Sequence, residues 1–217
     1  MARILVINPN RSVACGKGIA AAIAPFRHPD GPTLDVVSSP DGPEAIYSWR
    51  DWHAAVEPIC RRIELEPADA YVIACASDPG IEAARAATTR PVLGVFRSAV
   101  AASAARAERF GVVAIVNASM ARHLAALRAM GLKSRLAAEV ALNVTMDTLL
   151  DPAAARVRLI AAARECVRAG AEVVILGCTG MAHHRAAMEA EAGVAVIEPC
   201  QAGVALAMHW VAERAWN

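Results

Sequence analysis

Aromatic residues make up only 4% of this 217-residue chain, although 56% of it is hydrophobic. The apolar content is therefore mostly Ala, Val, Ile and Leu, as expected of Ala-rich helices laid on buried parallel strands. An excess of either charge is missing too. A net charge of +1, without a basic stripe or acidic tail, argues against nucleic acid or an anionic membrane surface as partner. No apolar run approaches the ~20 residues of a membrane span. Met1 leads almost directly into the strand-like RILVI, so no secretory leader is expected and a cytoplasmic location is. The six cysteines (15, 60, 75, 166, 178 and 200) lack both Cys-x-x-Cys spacing and the density of a secreted disulfide framework, which implies reduced thiols. Neither G-x-x-x-x-G-K-[ST] nor G-x-G-x-x-G occurs, so nucleotide binding has no motif behind it. A hydrolase elbow G-x-S-x-G is also absent. His183 and His184 beside Cys178 suggest a solvated helix turn more than a metal site, and no metal or cofactor is expected.

What is present is a short β-branched run followed by a helical period, eight times over. Strands are predicted at 3–7, 34–38, 71–75, 91–95, 110–116, 135–142, 173–178 and 194–197. Helices are predicted at 14–24, 51–64, 79–88, 98–108, 119–130, 152–169, 181–191 and 201–215. Asp151 before Pro152 reads as an N-cap with Pro at N1, and Gly131 and Gly170 read as helix stops. Eight such units admit one closed barrel or two doubly wound lobes. A barrel typically takes ~250 residues, more than this chain has. The expected fold is α/β, two flavodoxin-like lobes with parallel sheets related by pseudo-two-fold symmetry and the site in the cleft between them. The first lobe is placed at 1–97 plus 201–217, and the second at 98–200. Cys60 and Cys166 fall within amphipathic helices and read as core residues. Trp49, Trp52, Trp210 and Trp216 read as core or interface packing.

Two cysteines break the pattern of packing residues. Cys75 in VIACASDPG and Cys178 in VILGCTGMA each end a β-branched run, in opposite halves of the chain, and small polar residues follow at once. The C-terminal edge of an open α/β sheet is where such folds place their chemistry. Two thiols facing across one carbon can remove a proton from one side and return it on the other. Helix N-termini beside both cysteines are expected to lower their pKa. Polar loops supply further candidates: Asn8 after the first strand, Ser77 and Asp78 after Cys75, Asn117, Ala118 and Ser119 after the fifth strand, and Thr179 and Gly180 after Cys178. Backbone N–H groups in such loops suit a carbonyl or enolate oxygen.

INPN at the start, the two cysteine loops and the late VIEP segment resemble the hydantoin racemase branch, which includes allantoin racemases, of the aspartate/glutamate racemase superfamily. The resemblance spans nearly the whole chain, and the two cysteine loops in order are its specific part. It implies a two-lobed fold, Cys75 and Cys178 as the acid/base pair, no cofactor, and a homo-oligomer. Arylmalonate decarboxylases share the fold but keep only the second cysteine, so retention of Cys75 argues against that activity. Two segments depart from the family pattern: Gly94-Val95-Phe96-Arg97-Ser98 stands where Gly-x-x-Glu-Ala is common, and Asn117-Ala118-Ser119 replaces a Thr-rich loop. The cysteine loops and the Asn117 loop hold no Lys or Arg, leaving Arg11 and Arg97 as the nearby cations. Two carboxylates would need cationic partners, so a neutral cyclic amide is the expected substrate. An amino-acid racemase, a decarboxylase of the same fold and a non-enzymatic small-molecule-binding protein are the alternatives.

Overall fold

In a computed structural model, which describes residues 1–214, the chain forms two four-stranded parallel sheets of the same order. The first contains β1 (Arg3–Asn8), β2 (Thr33–Ser38), β3 (Ala70–Ile73) and β4 (Val92–Gly94), in the order β2-β1-β3-β4. The second contains β5 (Phe110–Ala114), β6 (Leu136–Ala141), β7 (Val173–Gly177) and β8 (Ala195–Ile197), in the order β6-β5-β7-β8. Every pairing is parallel. The duplicated order settles the choice left open by the sequence in favour of two doubly wound units over one barrel.

The inner strands are buried on both faces, which is why they read as unbroken apolar runs. Alternation sorts each strand onto two cores. Ile4 and Val6 meet Ile19 of α1 (Val13–Ala22) and Cys200, Val204 and Ala207 of the last helix, α10 (Pro199–Arg214). Leu5 and Ile7 meet Ile59 and Ile63 of α3 (Val56–Leu65) and Ile81 and Ala84 of α4 (Ile81–Ala86). In the second sheet, Phe110 and Val112 pack on α5 (Val95–Ala104) and α6 (Asn117–Ala129). Val113 and Ile115 pack on α8 (Pro152–Arg168). Helix α5 divides its loyalties, giving Val95 to the first core and Phe96, Ala99 and Val100 to the second.

Local signals behave as their chemistry requires. The Asp151 carboxylate accepts from the N–H groups of Ala153 and Ala154 and opens α8. Gly131 and Gly170 end helices at φ +71° and +92°, where a side chain would be strained. Three expectations need correction. The helix expected over 51–64 is two, α2 (Trp49–Ala54) and α3, and the first begins at Trp49 because Ser48 and Asp51 form a capping box there. The stretch after Cys178 is a 3₁₀ helix over Thr179–His184 before α9 (Arg185–Ala192) begins. A short α7 (Met146–Leu150), capped by Thr145, was not anticipated. Cys166 is fully buried and Cys60 half-buried. Trp49 and Trp210 are a little under half exposed, and Trp216 lies outside the described residues. Among the described residues no helix is long and apolar enough to cross a membrane.

Candidate active site

A doubly wound sheet opens a crevice where its strand order reverses, beside the ends of its first and third strands. Here that happens twice. Cys75 follows β3, where Ala74 N–H still bonds to Ile7 of β1, and Cys178 directly follows β7, whose Gly177 pairs with Ala114 of β5. One cavity of about 50 Å³ joins the two crevices. Its walls include Cys75 and Ser77 from the first lobe, with Ser119, Cys178 and Thr179 from the second. These are five of the ten residues expected from sequence.

The other five do not line it. Asn8 is fully buried, with its amide donating to Asn10 Oδ1, Ser12 O and Ser38 Oγ; it shapes the first loop and leaves Asn10 at the cavity. Asp78 is also fully buried and points the other way. Its carboxylate accepts from Phe96 N–H at 2.8 Å and Arg97 N–H at 2.9 Å, the first turn of α5. It thus pins the Cys75 loop to the helix that joins the lobes, at a backbone φ of +47°. Asn117 and Ala118 are exposed at the start of α6. Gly180 sits behind Thr179, facing a separate groove along α1. The two cations expected nearby are elsewhere: Arg11 pairs with Glu44, and Arg97 with Glu82 and Asp78.

Sequence reasoning missed Asn10, Tyr47, Arg122, His123 and Met146 on the cavity wall. Arg122 stands one turn inside α6 and is 3% exposed, on a helix and not in the loops where cations were expected. It reaches from the second lobe to the first, donating from Nη1 to Tyr47 O at 3.3 Å and from Nη2 to Ile46 O at 3.5 Å. The same groups also bond to Ala118 O and Ser119 Oγ. Its guanidinium lies 5.9 Å from the centre of a Trp49 ring. Tyr47 makes the return contact, its hydroxyl accepting from Met146 N–H at 2.8 Å. Residues 45–52 therefore form a strap across the cleft, and Trp52 fastens its far end by donating from Nε1 to Ser77 O at 3.0 Å. Beside Arg122, His123 stacks on Phe96 and bonds through Nδ1 to Glu139 Oε1 at 2.5 Å, a pair buried beneath the cavity. An offset of helical register would have exposed these residues as a cavity-facing stripe, but nothing in one sequence marks α6 as lining the cleft.

The electrostatics of the thiols also differ from expectation. Helix dipoles do not depress them, since α4 begins only at Ile81 and a 3₁₀ turn follows Cys178. Burial dominates and raises both. Cys75 is raised by desolvation, opposed by Ser77, whose side chain and N–H favour the thiolate, and by the charge of Arg122. Its Sγ lies 3.4 Å from Ser77 Oγ. Cys178 is pushed up to about 12 by desolvation, a rise opposed by the Gly180 N–H. Its thiol faces Met146 Sδ at 3.7 Å. Cys75 is thus the better provided of the two as a thiolate.

Comparison with known proteins agrees with this architecture. Residues 4–207 match the family model described as Asp/Glu/Hydantoin racemase. The chain belongs to that family. It is 37% identical to a hydantoin racemase of Paenarthrobacter aurescens over 97% of this chain and 91% of the relative. A hydantoin racemase of Pseudomonas sp. (strain NS671) is 35% identical over 94% of this chain and 84% of its own length. Among solved structures, an allantoin racemase from Klebsiella pneumoniae superposes with a TM-score of 0.90 at 28% identity, covering 99% of this chain and 89% of that one. The fold is also that of glutamate racemase from Bacillus anthracis, at a TM-score of 0.75 and 18% identity over 98% of this chain and 82% of that one. The protein is a racemase with the two-lobed fold.

Proposed function

We propose that this racemase inverts C5 of 5-substituted hydantoins or a related cyclic amide such as allantoin, without a cofactor, by proton transfer between Cys75 and Cys178. The observation that carries the reading is that thiols from equivalent strand ends of two lobes line one cavity. In one direction the Cys75 thiolate takes the C5 proton, and the C–H electron pair passes onto the adjacent carbonyl oxygen. The Cys178 thiol then delivers its proton to the opposite face. The turn leaves Cys75 as thiol and Cys178 as thiolate, the arrangement required for the reverse direction. The enolate oxygen is served by the Ser77, Ser119 and Thr179 hydroxyls and by loop N–H groups, acting in a desolvated site where such donors are most effective.

A neutral ring suits the walls better than a free dicarboxylate. Both terminal nitrogens of Arg122 are engaged with Ile46, Tyr47, Ala118 and Ser119, so no guanidinium fork is free to clamp a carboxylate. The cavity of about 50 Å³ is far below the ~300 Å³ at the small end of ligand pockets. A substituted ring therefore enters with the 45–52 strap displaced, and closure completes the donor set. Polarimetry with 5-substituted hydantoins, allantoin, aspartate and glutamate tests the reading. Decay of rotation with a cyclic amide supports it, and turnover confined to the free amino acids contradicts it.

A further inference from the structure

Arg122 is, among the described residues, the only fully buried Arg or Lys. A buried guanidinium ordinarily has a carboxylate to compensate it, because desolvating an unpaired charge costs several kcal/mol. This one forms no ion pair among the described residues; its hydrogen-bond partners are three backbone carbonyls and one hydroxyl. Among the described residues its Nε is buried without a hydrogen-bond partner. Holding two carbonyls of a strap needs N–H donors, not a permanent charge. The charge is nevertheless kept where it is expensive, at the wall of the cavity it shares with Cys75.

We propose that Arg122 is a positioning residue that, together with Ser77, favours the ionisation of Cys75, with the strap holding its guanidinium at the wall of the cavity the two share. The carboxylate of Asp51, on the strap, interacts electrostatically with Arg122 but makes no ion pair or hydrogen bond with it; at the cavity itself a counter-charge arises when Cys75 is a thiolate or when negative charge has moved onto bound substrate. Ser77 favours the thiolate through its side chain and N–H but brings no charge, and the remaining groups around Cys75 bring no positive charge free to face it. Cys178, Tyr47 and His123 line the same cavity, buried Cys200 of α10 interacts electrostatically with Cys75, and Asp78 follows in its own loop. The thiols and the phenol carry no positive charge, and the Asp78 carboxylate disfavours a thiolate. His123 is already committed through Nδ1 to Glu139. The electrostatic interaction of Arg122 with Cys75 runs both ways, each favouring the charged form of the other against burial.

Alkylation of Cys75 by iodoacetamide across pH, followed by peptide mass spectrometry to separate it from the other cysteines, tests this. The readout depends only on the thiol, so it stands or falls separately from the substrate reading. In Arg122→Gln the alkylation midpoint should move alkaline by a unit or more, about tenfold slower reaction near neutral pH. The pH profile of kcat/KM should move with it. Arg122→Lys should hold the Cys75 profile close to that of the unaltered protein, even where loss of the two-carbonyl fork raises KM. A folded Gln variant with reduced Tm but an unmoved Cys75 profile would make Arg122 a structural clasp and overturn the proposal. If the Gln variant does not fold, Arg122→Met, which keeps the buried stem and drops the charge, decides: an alkaline shift of the Cys75 profile by a unit or more supports the inference, and an unmoved profile overturns it.

Discussion

Two glycines should answer the same substitution in opposite ways. An ideal Cβ on Gly94 would lie 2.3 Å from Asp78 Cγ and 2.5 Å from both carboxylate oxygens. Asp78 cannot easily retreat, for its own N–H is tied to Cys75 O at 2.9 Å and its carboxylate to Phe96 and Arg97. Gly94→Ala must therefore break the clamp between the Cys75 loop and α5. Each N–H bond to a charged acceptor contributes ~1.5–3 kcal/mol, so losing both costs about 3 kcal/mol or more. For a chain of this size that lowers Tm by roughly 6–12 °C. The clamp also aims the Cys75 loop, and a displacement of about 1 Å at a reacting group can cost ~10²-fold in rate. Gly18, inside α1, has nothing within 4 Å of the same added atom. Gly18→Ala should gain up to about 1 kcal/mol of helix propensity, raise Tm by a few degrees and leave activity intact. Thermal unfolding and racemisation rates of the two variants, side by side, make the comparison. If Gly94→Ala melts and turns over like Gly18→Ala, Asp78 does not position the site.

Other perturbations have defined signs. Burial raises Asp78 to about 6 against an ordinary 3.8, and Glu198 to about 6 against 4.5. The folded state therefore holds these protons where the unfolded chain has released them. Their contribution is full below the unfolded values and is lost as pH rises through about 6, on the order of 2 kcal/mol between about pH 5 and pH 7. Tm measured across that interval should fall for the unaltered protein and be flatter for Glu198→Gln; a rise would contradict the assignment. His123→Ala leaves Glu139 buried without its partner and should cost ~3–5 kcal/mol, whereas replacing both residues with Leu should recover much of it. Chemical denaturation of the single and double variants measures the difference. Trp52→Phe removes the indole bond to Ser77 O and should cost about 1 kcal/mol; rates read alongside stability show whether the strap's hold on the Cys75 loop also matters for turnover.

The fold was legible because its signals are local. Strands such as β5 and β7 are buried on both faces and so appear as continuous Val, Ile and Ala. Caps such as Asp151 and stops such as Gly170 announce themselves within four residues. The two cysteine loops were legible because the duplicated fold repeats the same device, a strand ending at its crevice. What the sequence hid was direction. Asp78 and Asn8 sit in the right loops, yet their side chains turn inward to satisfy backbone N–H groups and loop polar atoms. Arg122 and Tyr47 reach the cavity from a helix and a long connection, through contacts between residues 75 positions apart. No pattern of neighbours along the chain encodes such a contact. The same blindness affected the thiols: a cysteine before a predicted helix suggested a dipole, but the helix starts too late and burial decides.

The central claim is that two sulfurs exchange a proton across one carbon, and isotope exchange tests it most directly. In deuterium oxide, starting from a single enantiomer of a cyclic amide substrate, the product should carry deuterium at C5 while unreacted substrate keeps its hydrogen early in the reaction. Cys75→Ser and Cys178→Ser should each abolish racemisation, and any residual exchange should be confined to one enantiomer, a different one for each variant. Product that retains the original hydrogen, or racemisation that persists in either variant, would contradict the account.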